Sequence, residues 1–339
     1  MPNKKICFFL NTPDPTVIER SEFYKIDVLI LKELGFDIQF SFNYKNIPTD
    51  AYFYFVWWWT YAFFPLMLAK ITGRKLIITG TFNLSHHIAG NDFYSRPFLH
   101  RLLIKMSAKL CDANILVSKY ELCRFKQQIS RNNAYFSPHG LYLDKYLQRS
   151  KEKREAFIFT IAWMNRENAL RKCIPEIIKS AYLLKNRGFS IPFLICGKIE
   201  KDALFLQDLV NDLQMNDLVK FLGLLSEEEK IKYLKKCSIY LQPTVFEGFG
   251  VAIAEALLCG TPTITSKVGA VSEVTGNFCS YVNGKNPAEI AEMIVKVLDN
   301  YESNTRIAGD GAAHIQNNFN YVRRKAEIRD ILKKLNLIY

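Results

Sequence analysis

The feature that most constrains this chain is an alternation of short apolar runs with helical stretches, which it passes through twice. In the first half, runs at 6–10, 37–42, 51–57, 75–79, 113–117 and 134–137 read as strands, with helices over 22–34, 61–72, 95–110 and 118–130. Strands separated by helices of this length imply right-handed βαβ crossovers and a parallel sheet covered on both faces. The run 148–155, Gln-Arg-Ser-Lys-Glu-Lys-Arg-Glu, is charged and free of apolar residues, which suits a linker. After it the alternation restarts. Strands are expected at 157–162, 192–196, 219–222, 239–242 and 261–265, with helices over 172–186, 201–214, 226–236, 250–258, 287–300, 303–318 and 321–335. The expectation is an α/β chain of two doubly wound, Rossmann-like domains, 1–150 and 151–320, with a cleft facing the C-terminal ends of both sheets.

The length of 339 residues suits two domains, and the balance of 49% apolar to 23% charged residues is that of a globular protein with sizeable cores. Eight cysteines show no metal-ligand spacing and no C-x-x-C pair, so they read as small core residues in a reducing compartment. The N-terminus lacks the apolar stretch and cleavage site of a signal peptide, so a cytoplasmic location is expected. The aromatic run 51–69 is nearly long enough to span a bilayer. Pro65 and an interior full of Trp and Tyr favour a buried strand followed by a helix instead. The net charge of +12 divides as +8 over 1–150 and +4 over 151–339, so an anionic partner is expected: nucleic acid, a membrane surface or a phosphorylated small molecule.

The most informative stretch runs Pro243-Thr-Val-Phe-Glu247-Gly248-Phe249-Gly250-Val-Ala-Ile-Ala-Glu255-Ala-Leu. A strand ends near Gln242, a glycine-bearing turn follows, and a helix opens at about Gly250. Amides of Gly248, Phe249 and Gly250 at a helix N-terminus suit an anion or sugar hydroxyls. Glu255 lies among Val251, Ala252, Ala254, Ala256 and Leu257, where a carboxylate is costly unless satisfied. Two ribose hydroxyls are suitable donors.

This pattern, Glu-Gly-Phe-Gly-x4-Glu-Ala followed by Cys-Gly260-Thr-Pro262-Thr-Ile and Gly269-Ala-Val-x-Glu273, resembles the C-terminal half of retaining GT-B glycosyltransferases of family 4. The resemblance is dense from about 157 to 285. It implies that Glu247 and the amides of Gly248, Phe249 and Gly250 hold a donor sugar, and that Glu255 binds the ribose. It also implies a lysine and an arginine that neutralise the donor diphosphate. Lys172 matches the lysine, while either Arg166 or Arg171 fits the arginine. Cys196-Gly197-Lys198 and Phe221-Leu-Gly223 resemble the turns that frame the nucleobase, and a terminal helix, 321–339, is expected to pack back toward the first domain.

The first domain, expected to bind the acceptor, departs from the family pattern. Asn11-Thr-Pro-Asp-Pro-Thr16 stands where a glycine pair is common. Ser137-Pro-His139-Gly140 stands where an Asn-Gly turn is usual. Asn83, His86 and His87 follow the strand near 75–79 and are candidates for acceptor or sugar binding. Arg101, Lys105 and Lys109 recur every fourth residue, making a basic amphipathic helix suited to anionic lipid headgroups at the cytoplasmic face of a membrane.

The activity expected from the resemblance is retaining transfer from a nucleoside diphosphate sugar, a UDP-sugar ahead of GDP-mannose, to a saccharide or lipid-linked acceptor in cell-surface glycan synthesis. Glu247, Lys172 and Arg166 stand as catalytic candidates, and Gly248, Phe249, Gly250, Glu255, Arg171 and Gly197 as donor-binding ones. No Asp-x-Asp motif appears, so no metal and no cofactor is expected. A sugar-nucleotide epimerase of the same fold and a non-catalytic sugar-nucleotide binder remain open. Nucleic acid has the charge in its favour but no recognition motif, so it is not expected as a partner.

Overall fold

The computed structural model describes residues 4–84, 92–147 and 154–339. The chain divides into two compact units, Met1–Tyr142 with Phe319–Tyr339, and Leu143–Asn318. Of the charged run expected as a linker, 148–153 lie outside the described residues, and the division falls earlier, between Tyr142 and Leu143.

The first unit comprises β1 (Lys4–Phe9), α1 (Val17–Arg20), α2 (Glu22–Glu33), β2 (Phe36–Ser41), β3 (Phe53–Trp57), α3 (Phe63–Ile71), β4 (Lys75–Gly80), α4 (Phe98–Leu110), β5 (Ala113–Leu116), α5 (Lys119–Gln128) and β6 (Ala134–Phe136). Its six strands are parallel, in the order β2-β1-β3-β4-β5-β6. Both faces are covered, which explains the near-continuous apolar runs. Ile6 and Phe8 enter one core with Ile26 and Ile30 of α2, while Cys7 and Phe9 enter the other with Leu66 of α3 and Ile104 of α4. The aromatic run is therefore a buried strand and a helix. Among the described residues no helix is long and apolar enough to cross a membrane.

The second unit contains α6 (Asp144–Leu147), β7 (Glu155–Ile161), α7 (Arg166–Arg171), α8 (Ile174–Asn186), β8 (Phe193–Cys196), α9 (Phe205–Asp212), β9 (Val219–Gly223), α10 (Glu227–Lys236), β10 (Cys237–Gln242), α11 (Val251–Leu258), β11 (Thr263–Thr265), α12 (Val271–Thr275), β12 (Ser280–Tyr281), α13 (Pro287–Asp299) and α14 (Tyr301–Asn318). Its sheet is also parallel, in the order β12-β11-β10-β7-β8-β9. Serine and glutamate close α10 with a reciprocal capping box, Ser226 with Glu229.

The chain then re-enters the first unit as α15 (Tyr321–Lys334). Leu141 N–H donates to Phe319 O at 2.8 Å and Tyr321 N–H to Leu141 O at 3.0 Å. A Cβ on Gly140 would lie 2.9 Å from Tyr321 Cα, so glycine is needed at this crossing. Ile328 and Leu332 join the core beside α2. Arg324, 1% exposed, donates to both oxygens of the buried Asp27 at 2.6 and 2.8 Å and to the carbonyls of Ser137 and Pro138 at 2.7 and 3.1 Å. His139 stacks on Trp57 at 5.9 Å, and burial together with Arg324 holds its imidazole pKa well below the ordinary value.

Candidate active site

The candidate site forms where β7 and β10 end. Beyond β10 the segment Pro243–Gly250 loops to the N-terminus of α11, which Gly250 begins with φ +89. Only glycine adopts that backbone without strain. The first intrahelical bond is Ala254 N–H to Gly250 O, so the amides before it have no partner within the helix. The loop is pinned from the far side: Ala270 N–H donates to Glu247 O at 2.9 Å, and a Cβ on Gly269 would stand 2.2 Å from that same carbonyl. The glycine of the Gly269-Ala-Val motif therefore permits the backbone contact that positions Glu247.

Beyond β7, a short helix not expected from the sequence, α7, ends at Arg171, and the helix expected over 172–186 begins two residues later as α8, after Cys173, whose φ is +51. This left-handed break turns Arg171 and Lys172 together toward Glu247. Val245 N–H and the Thr244 hydroxyl both donate to Arg171 O, at 2.9 and 3.1 Å, locking the two loops. Glu247 Oε1 then meets Arg171 at 2.9 Å, Lys172 Nζ at 3.7 Å and Gln242 Nε2 at 3.1 Å. Gln242 is in turn fixed by the Tyr240 hydroxyl. Arg166 lies elsewhere, 4.9 Å over the ring of Phe205.

Burial opposes ionisation of Glu247, yet Arg171 and Lys172 outweigh it and hold its carboxyl below the ordinary carboxylate range. Burial also lowers the Lys172 ammonium pKa, against the attraction of Glu247. Two cations face one carboxylate in this ion-pair set, so it carries an excess positive charge in a largely buried site, where solvent screens it less. That surplus suits an anionic ligand.

Glu255, 2% exposed, sits in a second, balanced cluster. Its Oε1 accepts from Lys230 at 2.9 Å and from the Tyr146 hydroxyl at 2.8 Å. Lys230 also pairs with Glu227 at 2.9 Å, and Lys145 with Glu227 at 2.8 Å. Burial disfavours the Glu227 carboxylate, but Lys230 and Lys145 prevail and bring its pKa down to about 2. The sequence does not single out Tyr146, Glu227 or Lys230, whose partners Glu255 and Lys145 lie far along the chain, nor Gln242, which sits within an apolar strand run although its partners Tyr240 and Glu247 are close in sequence. Within the Glu255 cluster the local signal is the Glu227–Lys230 spacing on one helix face.

Gly197, with φ +133, crosses against β7 so closely that a Cβ would lie 1.7 Å from Ala162 O. In the first unit, Asn83 O accepts from Phe93 N–H at 2.9 Å, while His86 and His87 lie outside the described residues. On α4, Lys105 and Lys109 are exposed and Arg101 is half-buried. Among the described residues no three His, Cys, Asp or Glu side chains gather as metal ligands.

Residues 148–313 match the model of the family described as glycosyl transferases group 1, just under half of the chain. This segment is therefore similar to a group 1 glycosyltransferase domain. The chain is 28% identical over 254 residues to the O-antigen chain mannosyltransferase RfbU of Salmonella typhimurium, an alignment covering 67% of this chain and 66% of RfbU. It is 24% identical over 302 residues to a GDP-mannose-dependent monoacylated alpha-(1-6)-phosphatidylinositol monomannoside mannosyltransferase of Corynebacterium glutamicum, covering 81% and 75% of the two chains. The structure of Anabaena HepE in complex with UDP and glucose matches with a TM-score of 0.79 at 16% identity, covering 98% of this chain and all of HepE. Both units thus have the GT-B fold of glycosyltransferases, as the sequence pattern implied.

Proposed function

We propose that this glycosyltransferase moves a hexosyl group from a nucleoside diphosphate sugar to a saccharide or lipid-linked saccharide acceptor, with retention at the anomeric carbon, in cell-surface glycan synthesis. The observation that carries the reading is the Arg171–Lys172–Glu247 set beside the open N-terminus of α11. In this reading Arg171, rather than Arg166, and Lys172 meet the donor diphosphate, and the α11 dipole adds to them. Glu247 and the amides of Gly248, Phe249 and Gly250 hold the sugar, and Glu255 the ribose. The bond from the anomeric carbon to the diphosphate breaks, and the acceptor oxygen bonds to the same face. The acceptor's proton passes to the departing phosphate. Charge stabilisation of that leaving group is the term the two cations supply.

The two mannosyltransferase relatives weigh toward a mannosyl donor, while the UDP held by HepE weighs toward a uridine nucleotide. A thermal-shift screen of UDP-glucose, UDP-N-acetylglucosamine and GDP-mannose decides between them, since a ligand of the folded state raises Tm. With the donor in hand, Glu247→Gln and Lys172→Ala are each expected to lower kcat by about 100-fold or more while the fold is kept. Near-wild-type transfer by either variant sinks the assignment. Interconversion of the donor without any acceptor would instead identify an epimerase.

A peripheral contact with anionic membrane belongs to the same reading. Its support is the outward face of α4, where Phe98, Leu99, Leu102, Met106 and Leu110 are exposed beside Lys105 and Lys109.

A further inference from the structure

We propose that the first unit binds a neutral pyranose ring against the indole of Trp58, beyond the strand ends where its sheet changes direction. The inference rests on the glycosyl-transfer reading only for the ligand's role as acceptor. The site itself follows from the topology.

From β1 the chain crosses to β2 on one side and then returns to β3 on the other. Ligands of open α/β sheets sit beyond the carboxyl ends of the strands at such a switch point. The residues that follow these ends are Asn11 and Thr12 after β1, Trp58 after β3 and Thr81 after β4. All four are half-buried, and none of their side chains is charged.

Trp58 is held in a backbone state with φ 76 and ψ 120. A bulky residue there is a genuine outlier, and such residues gather at ligand clamps. Its indole is fixed from several directions. Nε1 donates to the Tyr24 hydroxyl at 2.8 Å, Trp57 packs against it edge-on at 5.5 Å, and its ring covers Gly80. A Cβ at Gly80 would lie 3.0 Å from Trp58 Cε3, so glycine leaves the room the ring occupies. A large apolar ring is thereby immobilised, yet only half-buried, at the same end of the sheet as the uncharged hydrogen-bonding residues Asn11, Thr12 and Thr81. A pyranose has matching chemistry, with an apolar C–H face and a rim of hydroxyls. Apolar walls with a few polar groups that fix orientation are the usual make-up of a small-molecule site.

The test uses the 15N-labelled full chain and the Trp58→Gly variant, because glycine accepts this backbone and removes only the ring. Loss of one indole Nε1–H signal in that variant assigns the resonance. Titration with methyl α-D-mannopyranoside and methyl α-D-glucopyranoside is expected to shift it saturably with at least one of them. With the same glycosides as acceptors, Trp58→Gly should raise the acceptor KM about tenfold, leave the donor KM unchanged, and be largely rescued by Trp58→Phe. A merely structural Trp58 would move donor and acceptor KM together, or neither, and either result overturns the proposal. So does an unmoved indole signal in a chain whose Tm still rises with donor. An indole shift in a chain that binds no donor leaves the Trp58 site standing and removes the transferase reading instead.

Discussion

Glu247 and Glu255 stand eight positions apart on one strand-to-helix segment, yet the fold gives them opposite electrostatic settings. Glu247 answers two cations and leaves a surplus of positive charge, whereas Glu255 and Glu227 together balance Lys230 and Lys145. The family resemblance singles out Glu247, Glu255 and Lys172 and leaves Arg166 and Arg171 both open. Which of the two arginines stands beside Glu247 depends on the left-handed turn at Cys173, where no glycine announces it. The contact between Gly269 and Glu247 O is equally non-local. Gly269→Ala forces that carbonyl, a backbone atom, to move, and a displacement of about 1 Å at a reacting group costs on the order of 100-fold in rate. We expect kcat of this variant to fall by at least tenfold, and unchanged kcat would show that the loop has slack. Glu227 supports a pH prediction. Its pKa is lowered in the folded state, so its pairing stabilises the fold above the ordinary carboxyl value of 4.5 and is lost as pH falls toward about 2. In urea titrations, Glu227→Gln should be less stable than wild type at pH 7, and the gap should narrow as pH falls below 4.5.

At the scale of elements, strands were legible because a doubly covered parallel sheet demands unbroken apolar runs, and β1, β3 and β10 are buried throughout or nearly so. The short helices α1, α6, α7 and α12 were missed. Each has six residues or fewer, too short to show a helical period. The helix α4 shows what periodicity leaves undecided. Its basic residues recur every fourth position, but so do Phe98, Leu102, Met106 and Leu110, and all four of these point outward. The face packed inward is the narrower one of Ile104, Ser107 and Ala108. Exposed apolar side chains beside lysines are the make-up of a helix lying at a membrane surface, the contact proposed above. The adjoining α3 adds exposed Phe64, Met67 and Ile71. Each lysine near an anionic surface contributes about 1 kcal/mol. Lys105→Gln with Lys109→Gln should therefore weaken binding to phosphatidylserine-containing vesicles by roughly 30-fold, an effect erased by salt. Leu102→Ser with Met106→Ser should weaken it at any salt concentration without lowering Tm, because neither side chain is in the core. Vesicle co-sedimentation that is the same for wild type and both variants would refute the membrane face.

At the scale of the whole molecule, the alternation of strand and helix was enough to read two doubly wound units, but not where the chain passes between them. The charged run at 148–155 drew the boundary by composition, whereas packing draws it between Tyr142 and Leu143, because Tyr146 and Lys145 of α6 hydrogen-bond within the second unit to Glu227 and Glu255. The return at Phe319 has a different anchor. Arg324 is fully desolvated, and its two bonds to Asp27 tie the last helix to α2 across almost 300 residues of sequence. Such a pair contributes little net stability over an apolar one of the same size, since both charges lose their hydration. Breaking it on one side is another matter, because the remaining charge stays buried without its partner. Arg324→Met is therefore expected to cost about 3–5 kcal/mol in urea unfolding, and adding Asp27→Leu should recover most of that loss. A double variant as unstable as the single one would mean that the bonds from Arg324 to Ser137 and Pro138 secure the return, and that α15 is held through the 137–140 turn rather than through α2.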